Sequence, residues 1–223
     1  MLSFLCYYAN MNQEEKTLLT DSKKIIEYSK QHKPEMTDIE IKDNNNTLTL
    51  FVSKDYLLVN GIRVSLFPKT AQTIADYYDC ILPTPKLVDI IWEKSDIQLE
   101  PKSMSSNRGS VDTLICHNSF IEQAILGRSF NLIAGHKKDI VISAKAWSKG
   151  KVTIYGWHKL NGKPIQSLSS IHSESYKDYS QGTRFVSRKC ILNGVGMDIW
   201  DVLSGDSHGL ISNEGKVSIR GYK

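Results

Sequence analysis

Residues 131–158, NLIAGHKKDIVISAKAWSKGKVTIYGWH, mark the point where the chain turns from helix-forming to strand-forming. Residues 132–134, 140–143 and 151–155 are short β-prone runs, parted by polar, glycine-containing turns at 135–139 and 148–150. Downstream, residues 183–186 and 189–192 read as further strands and 193–196 as a turn into a helix at 198–203. Residues 216–220 read as a last strand. No internal repeat and no parallel βαβ rhythm is present, so the second half is expected to be a mainly antiparallel sheet.

Upstream the pattern is helical. Residues 12–31 place Leu18, Leu19, Ile25, Ile26 and Tyr28 among charges at near-helical spacing, with Thr20 or Asp21 as an alternative N-cap. Pro34 ends that helix. A turn at 43–46 launches a strand at 47–52. Asn60-Gly61 between residues 56–59 and 62–66 is the best hairpin signal in the chain, and these strands read as scaffold. Helices follow at 68–78, opened by Pro68, and at 86–94, with Thr84 and Pro85 as N-cap and first residue; a short one follows at 117–126. The Ser-rich stretch 99–112 reads as a loop joining two halves. The expected class is α+β, with N-terminal helices and a hairpin packed on the C-terminal sheet. A helical segment, 1–34, precedes a single domain, 35–223.

Composition narrows the function only broadly. Among 223 residues, 28 Lys and Arg face 24 Asp and Glu, and the lysines are scattered, so nucleic acid is not an expected partner. Cys6, Cys80, Cys116 and Cys190 form no close pair, which argues against a zinc finger and leaves buried thiols as the default. No run reaches the roughly 18 apolar residues of a membrane span. The apolar start, residues 1–9, is either a signal remnant, a cropped end or a first structural element.

Three segments concentrate polar groups at strand ends: 135–139, 155–158 and 172–184. If the first two flank an antiparallel pair, His136 and His158 emerge at one rim. His172, Asp178, Ser180 and Arg184 then line the loop facing them. His136, Asp139, His158 and His172 offer ligands for zinc with an open position, but no H-E-x-x-H or H-x-H pair occurs and Lys137 and Lys138 oppose more positive charge. No cofactor is expected, with zinc the open alternative. Acid–base catalysis is the other chemistry. The histidines suit proton transfer, Asp139 would orient one of them, and Lys138 or Arg184 would hold a carboxylate or an oxyanion. Ser180 lies in Tyr-Ser-Gln-Gly rather than a G-x-S-x-G elbow, but stays among the catalytic candidates. Tyr155, Trp157, Tyr176 and Tyr179 either bind sugar or peptide or pack as core.

The motifs Ala134-Gly-His-Lys-Lys-Asp139, Ile154-Tyr-Gly-Trp-His158, Gly162-Lys-Pro-Ile-Gln166 and His172…Tyr176-x-Asp-Tyr-Ser-x-Gly-x-Arg184 resemble a group of bacterial, largely exported proteins of unassigned reaction. The resemblance covers most of residues 50–205. Where that pattern has Ser-His-Gly, this chain has Ser180-Gln181-Gly182. There is also a local likeness to the L,D-transpeptidase signature, without its nucleophilic Cys; Thr183 cannot ionise as a thiol does, so acyl-enzyme chemistry does not carry over. These likenesses assign no mechanism but point the substrate toward a peptide or glycan polymer of the cell envelope and the location toward an extracytoplasmic or secreted one. The first reading, from the His/Asp/Arg cluster, is an exported hydrolase acting on such a polymer. Its catalytic candidates are His136, Asp139, His158, His172 and Ser180; Lys138, Trp157, Gln166, Tyr176, Tyr179 and Arg184 are its substrate-binding candidates. The alternative is a non-catalytic glycan- or peptide-binding module grooved by Trp157, Tyr176 and Tyr179. A degenerate transpeptidase-like scaffold is the third reading.

Overall fold

The helical N-terminus folds as two helices, Gln13–Leu18 (α1) and Ser22–Gln31 (α2), in a computed structural model that describes residues 11–43 and 45–222. The apolar start at 1–9 and Asn44 of the 43–46 turn lie outside the described residues. Of the two expected starts, the one at residue 12 and the alternative capped near Thr20 or Asp21, both are used, by separate helices. Asp21 is the expected alternative N-cap: its carboxylate accepts from Lys23 N and Lys24 N and so starts a fresh helix. Leu19 and Ile25 are fully buried beneath the pair.

Strands Met36–Asp43 (β1) and Asn46–Ser53 (β2) pair antiparallel along their length. In β2, Leu48, Leu50 and Val52 point to the core, while Thr47, Thr49 and Phe51 are half-exposed. β1 was not anticipated, although its Ile39 and Ile41 alternate with Asp38, Glu40 and Lys42. Leu58–Val59 (β3) and Ile62–Arg63 (β4) form the expected hairpin. Its Asn60 and Gly61 have φ of 52° and 76°, the left-handed values a type I′ turn demands. Helix Pro68–Tyr77 (α3), strand Cys80–Ile81 (β5) and helix Pro85–Lys94 (α4) come next. Thr84 caps α4 as expected, its hydroxyl accepting from Leu87 N.

Ile97–Gln98 (β6) precedes the 99–110 loop and a helix, Val111–Ile125 (α5), much longer than the 117–126 expected, because Ser110 caps it early. Ile133–Ala134 (β7), Lys138–Ile140 (β8), Ile154–His158 (β9), Pro164–Ser169 (β10) and Gln181–Gly182 (β11) follow. The chain ends with Val186–Ser187 (β12), Lys189–Leu192 (β13), Val195–Asp198 (β14), Ile199–Ser204 (α6) and a 3-10 turn, Asp206–Leu210. Asn193-Gly194 closes the β13–β14 hairpin rather than leading straight into a helix. Residues 216–220 are not a strand; Val217 N donates to Leu203 O instead.

Two sheets organise the molecule. One runs β14-β13-β2-β12-β5, with β1 also on β2, and is antiparallel throughout. The other runs β10-β9-β8-β11, antiparallel except for the parallel β8–β11 contact; β6 and β7 form a further short parallel pair. The architecture is therefore α+β, with N-terminal helices, a hairpin and a largely antiparallel C-terminal sheet. Helix α4 packs on β9, and α5 packs on β4. Among the described residues no helix is long and apolar enough to cross a membrane.

Candidate functional site

Polar side chains are buried where β4, β8, β9, β11 and the 172–184 segment meet. Glycines make the close approaches possible. Gly135 has φ 93°, and a Cβ there would lie 2.4 Å from Leu99 O. Gly182 faces the Tyr56 ring so closely that a Cβ would fall 2.5 Å from Tyr56 Cδ1. The cluster divides into three centres.

The first is built around Asp139. Tyr56 Oη donates to Asp139 Oδ2 at 2.8 Å, and Asp139 Oδ1 is buried without a partner. Burial pushes the Asp139 carboxyl up to about 6, against the pull of Arg184, Tyr56 and His158. Arg184 stacks over the Tyr56 ring at 4.4 Å and donates 2.6 Å bonds to Ser53 O and Ile133 O. His158 Nε2 lies 2.8 Å from Asp89 Oδ1, which also accepts from Tyr155 Oη at 2.9 Å. Trp92, one turn on from Asp89 in α4, stacks on the His158 ring at 5.6 Å. Asp139, His158, Arg184 and Tyr56 line one crevice, too narrow in this conformation for a water molecule.

The second centre lies beyond Tyr56. Asp55 accepts from Arg63 Nη2 at 2.6 Å and from Arg63 Nε, while His136 Nε2 lies 3.1 Å away. Arg63 Nη1 also donates to Glu122 at 2.5 Å and to Asn118 at 3.0 Å. Burial alone would raise Asp55, but Arg63 and His136 hold it well below the usual carboxylate range. Burial pulls His136 down to about 4 and His117 to about 2, so both rings are neutral at pH 7. Lys137, buried and beside Arg63, is pulled down to about 7 and donates to Tyr179 O. An open cleft of about 650 Å³ reaches this centre, and Tyr56 lines both cleft and crevice.

The third centre is Asp178. Its Oδ1 accepts from Ser180 Oγ at 2.5 Å, and its Oδ2 from Tyr176 Oη at 2.9 Å, Arg108 at 3.1 Å and Lys138 Nζ at 3.3 Å. Burial opposes ionisation, yet these donors bring the carboxyl down to about 2. Two further bonds, Tyr179 N to Arg108 O and Met104 N to Tyr179 Oη, fasten the 99–110 loop to the same segment.

The sequence candidates are thus distributed rather than gathered. His136, Asp139 and His158 border adjacent centres, each with a different partner, and Asp139 pairs with Tyr56 rather than orienting a histidine. His172 is half-exposed and stacks on Tyr176 at 4.0 Å, away from the other histidines. Ser180 and Lys138 serve Asp178. Arg184 is buried, with Nη1 on Ser53 O, Nη2 on Ile133 O and its face on the Tyr56 ring, so two of its donors serve the main chain rather than a substrate anion. Trp157 and Tyr179 belong to the core, at 5% and 1% exposure, so the aromatic groove expected of a binding module is not formed by them. Trp157 has φ 59°, a strained value for a bulky residue that turns its ring inward against Tyr179. Gln166 is half-exposed on β10 and bonds Ser167 O. Among the described residues, no three His, Cys, Asp or Glu side chains come together as potential metal ligands.

Sequence reasoning missed Asp55, Tyr56, Arg63 and Asp89. The hairpin read as scaffold in fact delivers Arg63, whose signal was a lone cation in the apolar run Ile62-Arg-Val. Asp89 is likewise a lone acid, half-exposed between the buried Val88 and Ile90 of α4. No family model, curated protein or solved structure matches the chain.

Proposed function

We propose that the chain is an exported hydrolase that moves protons at the Asp139–His158 crevice, acting on a peptide or glycan polymer of the cell envelope. The observation that carries this reading is Asp139 itself. One oxygen is held by Tyr56, the other has no partner, and the carboxyl is brought to about 6, where an acid both holds and releases a proton near neutral pH. His158, held by Asp89, takes a proton from the attacking water, while protonated Asp139 gives its own to the leaving group. Turnover requires the crevice to open to substrate. The choice of polymer and the export rest on the motif likeness in residues 134–184, not on the geometry.

A non-catalytic module binding peptide or glycan is the second reading, favoured by the tightness of the crevice beside a much larger open cleft. Incubating the protein with purified peptidoglycan sacculi and measuring soluble fragments by mass spectrometry separates the two. Hydrolysis predicts fragments with the wild type and release slowed by about a hundredfold or more with Asp139→Asn. Co-sedimentation with sacculi without fragment release supports the binding module and overturns the enzyme.

A further inference from the structure

Strand β8 and helix α4 each bring a polar atom to the Asp139 crevice that nothing meets. Asp139, on β8, is 2% exposed, and its Oδ1 is buried without a partner among the described residues. Trp92, on α4, lines the same crevice, and its Nε1 is likewise buried without a partner. The benzo end of that ring lies against the turn after β9, where a Cβ at Gly162 would fall 3.4 Å from Trp92 Cζ3. Unmade hydrogen bonds of this kind destabilise a protein interior, so a closed crevice holding two of them favours an occupant that meets both. The rest of the lining offers little. Tyr56 Oη is engaged with Asp139 and Lys137 O, Lys137 Nζ with Tyr179 O, and two Arg184 donors with main-chain oxygens. Val88, Ile91 and Ala134 supply apolar side chains.

We infer that the crevice, once open, takes the planar amide of a peptide, with Trp92 Nε1 donating to its carbonyl oxygen and Asp139 Oδ1 meeting its nitrogen. An indole N–H only donates, and a carboxyl oxygen beside it completes the set that one C=O and one N–H require. A sugar ring is the poorer guest. It brings several hydroxyls, and burying them against Val88, Ile91 and Ala134 would leave most of them unpaired. It is also puckered, whereas a crevice too narrow for water opens least for a flat group. The bond broken is then C–N rather than a glycosidic C–O. Water adds to the carbonyl carbon as its proton passes to His158, and Trp92 steadies the oxygen that gains charge. The C–N bond breaks as Asp139 gives its proton to the departing nitrogen. That reaction rests on the hydrolase reading above; the amide binding does not.

Peptidoglycan sacculi contain both amide and glycosidic bonds, so the ends made on digestion by the full chain test this. New amine ends, read by dinitrophenyl labelling, are expected, and new reducing ends, read by borohydride labelling, are not. Trp92→Phe, which keeps a ring on His158 and loses the N–H, should slow the release by about tenfold or more. Binding is read separately on the wild type, from the Trp92 Nε1–H signal in NMR spectra, assigned by its loss in Trp92→Phe. Titration with N-acetyl-dialanine amide should move that signal, and titration with cellobiose should not. An unmoved signal with the dipeptide, an equal shift with cellobiose, or undiminished release by Trp92→Phe overturns the inference. New reducing ends without new amines sink this inference and leave the hydrolase reading standing. A dipeptide-selective shift in a protein that releases nothing from sacculi sinks the hydrolase reading alone.

Discussion

The Tyr56 hydroxyl donates a 2.8 Å hydrogen bond to one oxygen of Asp139 and leaves the other oxygen buried without a partner. A carboxylate so placed is half-satisfied, and its ionisation is a cost to the fold. The folded carboxyl titrates at about 6 against 3.8 for the free side chain, so the native state holds its proton to higher pH than the unfolded chain. Stability from this group is present below pH 4 and lost as pH rises through 6. Measured by urea unfolding, the stability of Asp139→Asn relative to wild type should rise by about 2–3 kcal/mol between pH 4 and pH 8. A pH-independent difference would mean that Asp139 is not held this way.

Gly182→Ala tests the approach that makes the bond possible. A methyl group there meets the Tyr56 ring at 2.5 Å, so ring or strand β11 must shift. The expected cost is about 1–3 kcal/mol of stability, together with loss of the raised Asp139 titration followed by carboxyl NMR. An unperturbed titration in a stable variant would show that the ring has slack.

Much of this arrangement was legible in the sequence. Alternation in residues 47–52, the Asn60-Gly61 turn and the Thr84-Pro85 cap depend on neighbours close in the chain, and all three formed. So did the concentration of polar groups at 136–139 and 178–184. What could not be read was pairing. Whether His136 meets Asp139 or Asp55 depends on how the segment after β2 packs against the turn before β8, a relation between residues 81 positions apart that no local period encodes. Trp157 misled for a related reason: its left-handed backbone breaks the alternation from which a strand's faces are read.

Asp178 should behave oppositely to Asp139. Ser180, Tyr176, Arg108 and Lys138 all favour its charged form, bringing it down to about 2, so its contribution is present above about pH 4 and lost as pH falls through 2. Asp178→Asn is expected to cost about 2–3 kcal/mol at pH 7, with Lys138 left buried beside a neutral group, and the deficit should shrink at pH 3. Urea titrations at the two pH values check the sign. Because Arg108 and Tyr179 tie the 99–110 loop to this segment, the same variant should speed proteolysis within that loop.

The pH profile of sacculus hydrolysis, compared between wild type and Asp139→Asn, bears most directly on Asp139 as the proton donor. Wild type should lose rate as pH rises through about 6, as the carboxyl surrenders its proton. Asp139→Asn should be slower by about a hundredfold or more below pH 6, with that limb gone and the gap narrowing at higher pH. Undiminished turnover by Asp139→Asn, or no fragments from the wild type at any pH, would contradict the assignment.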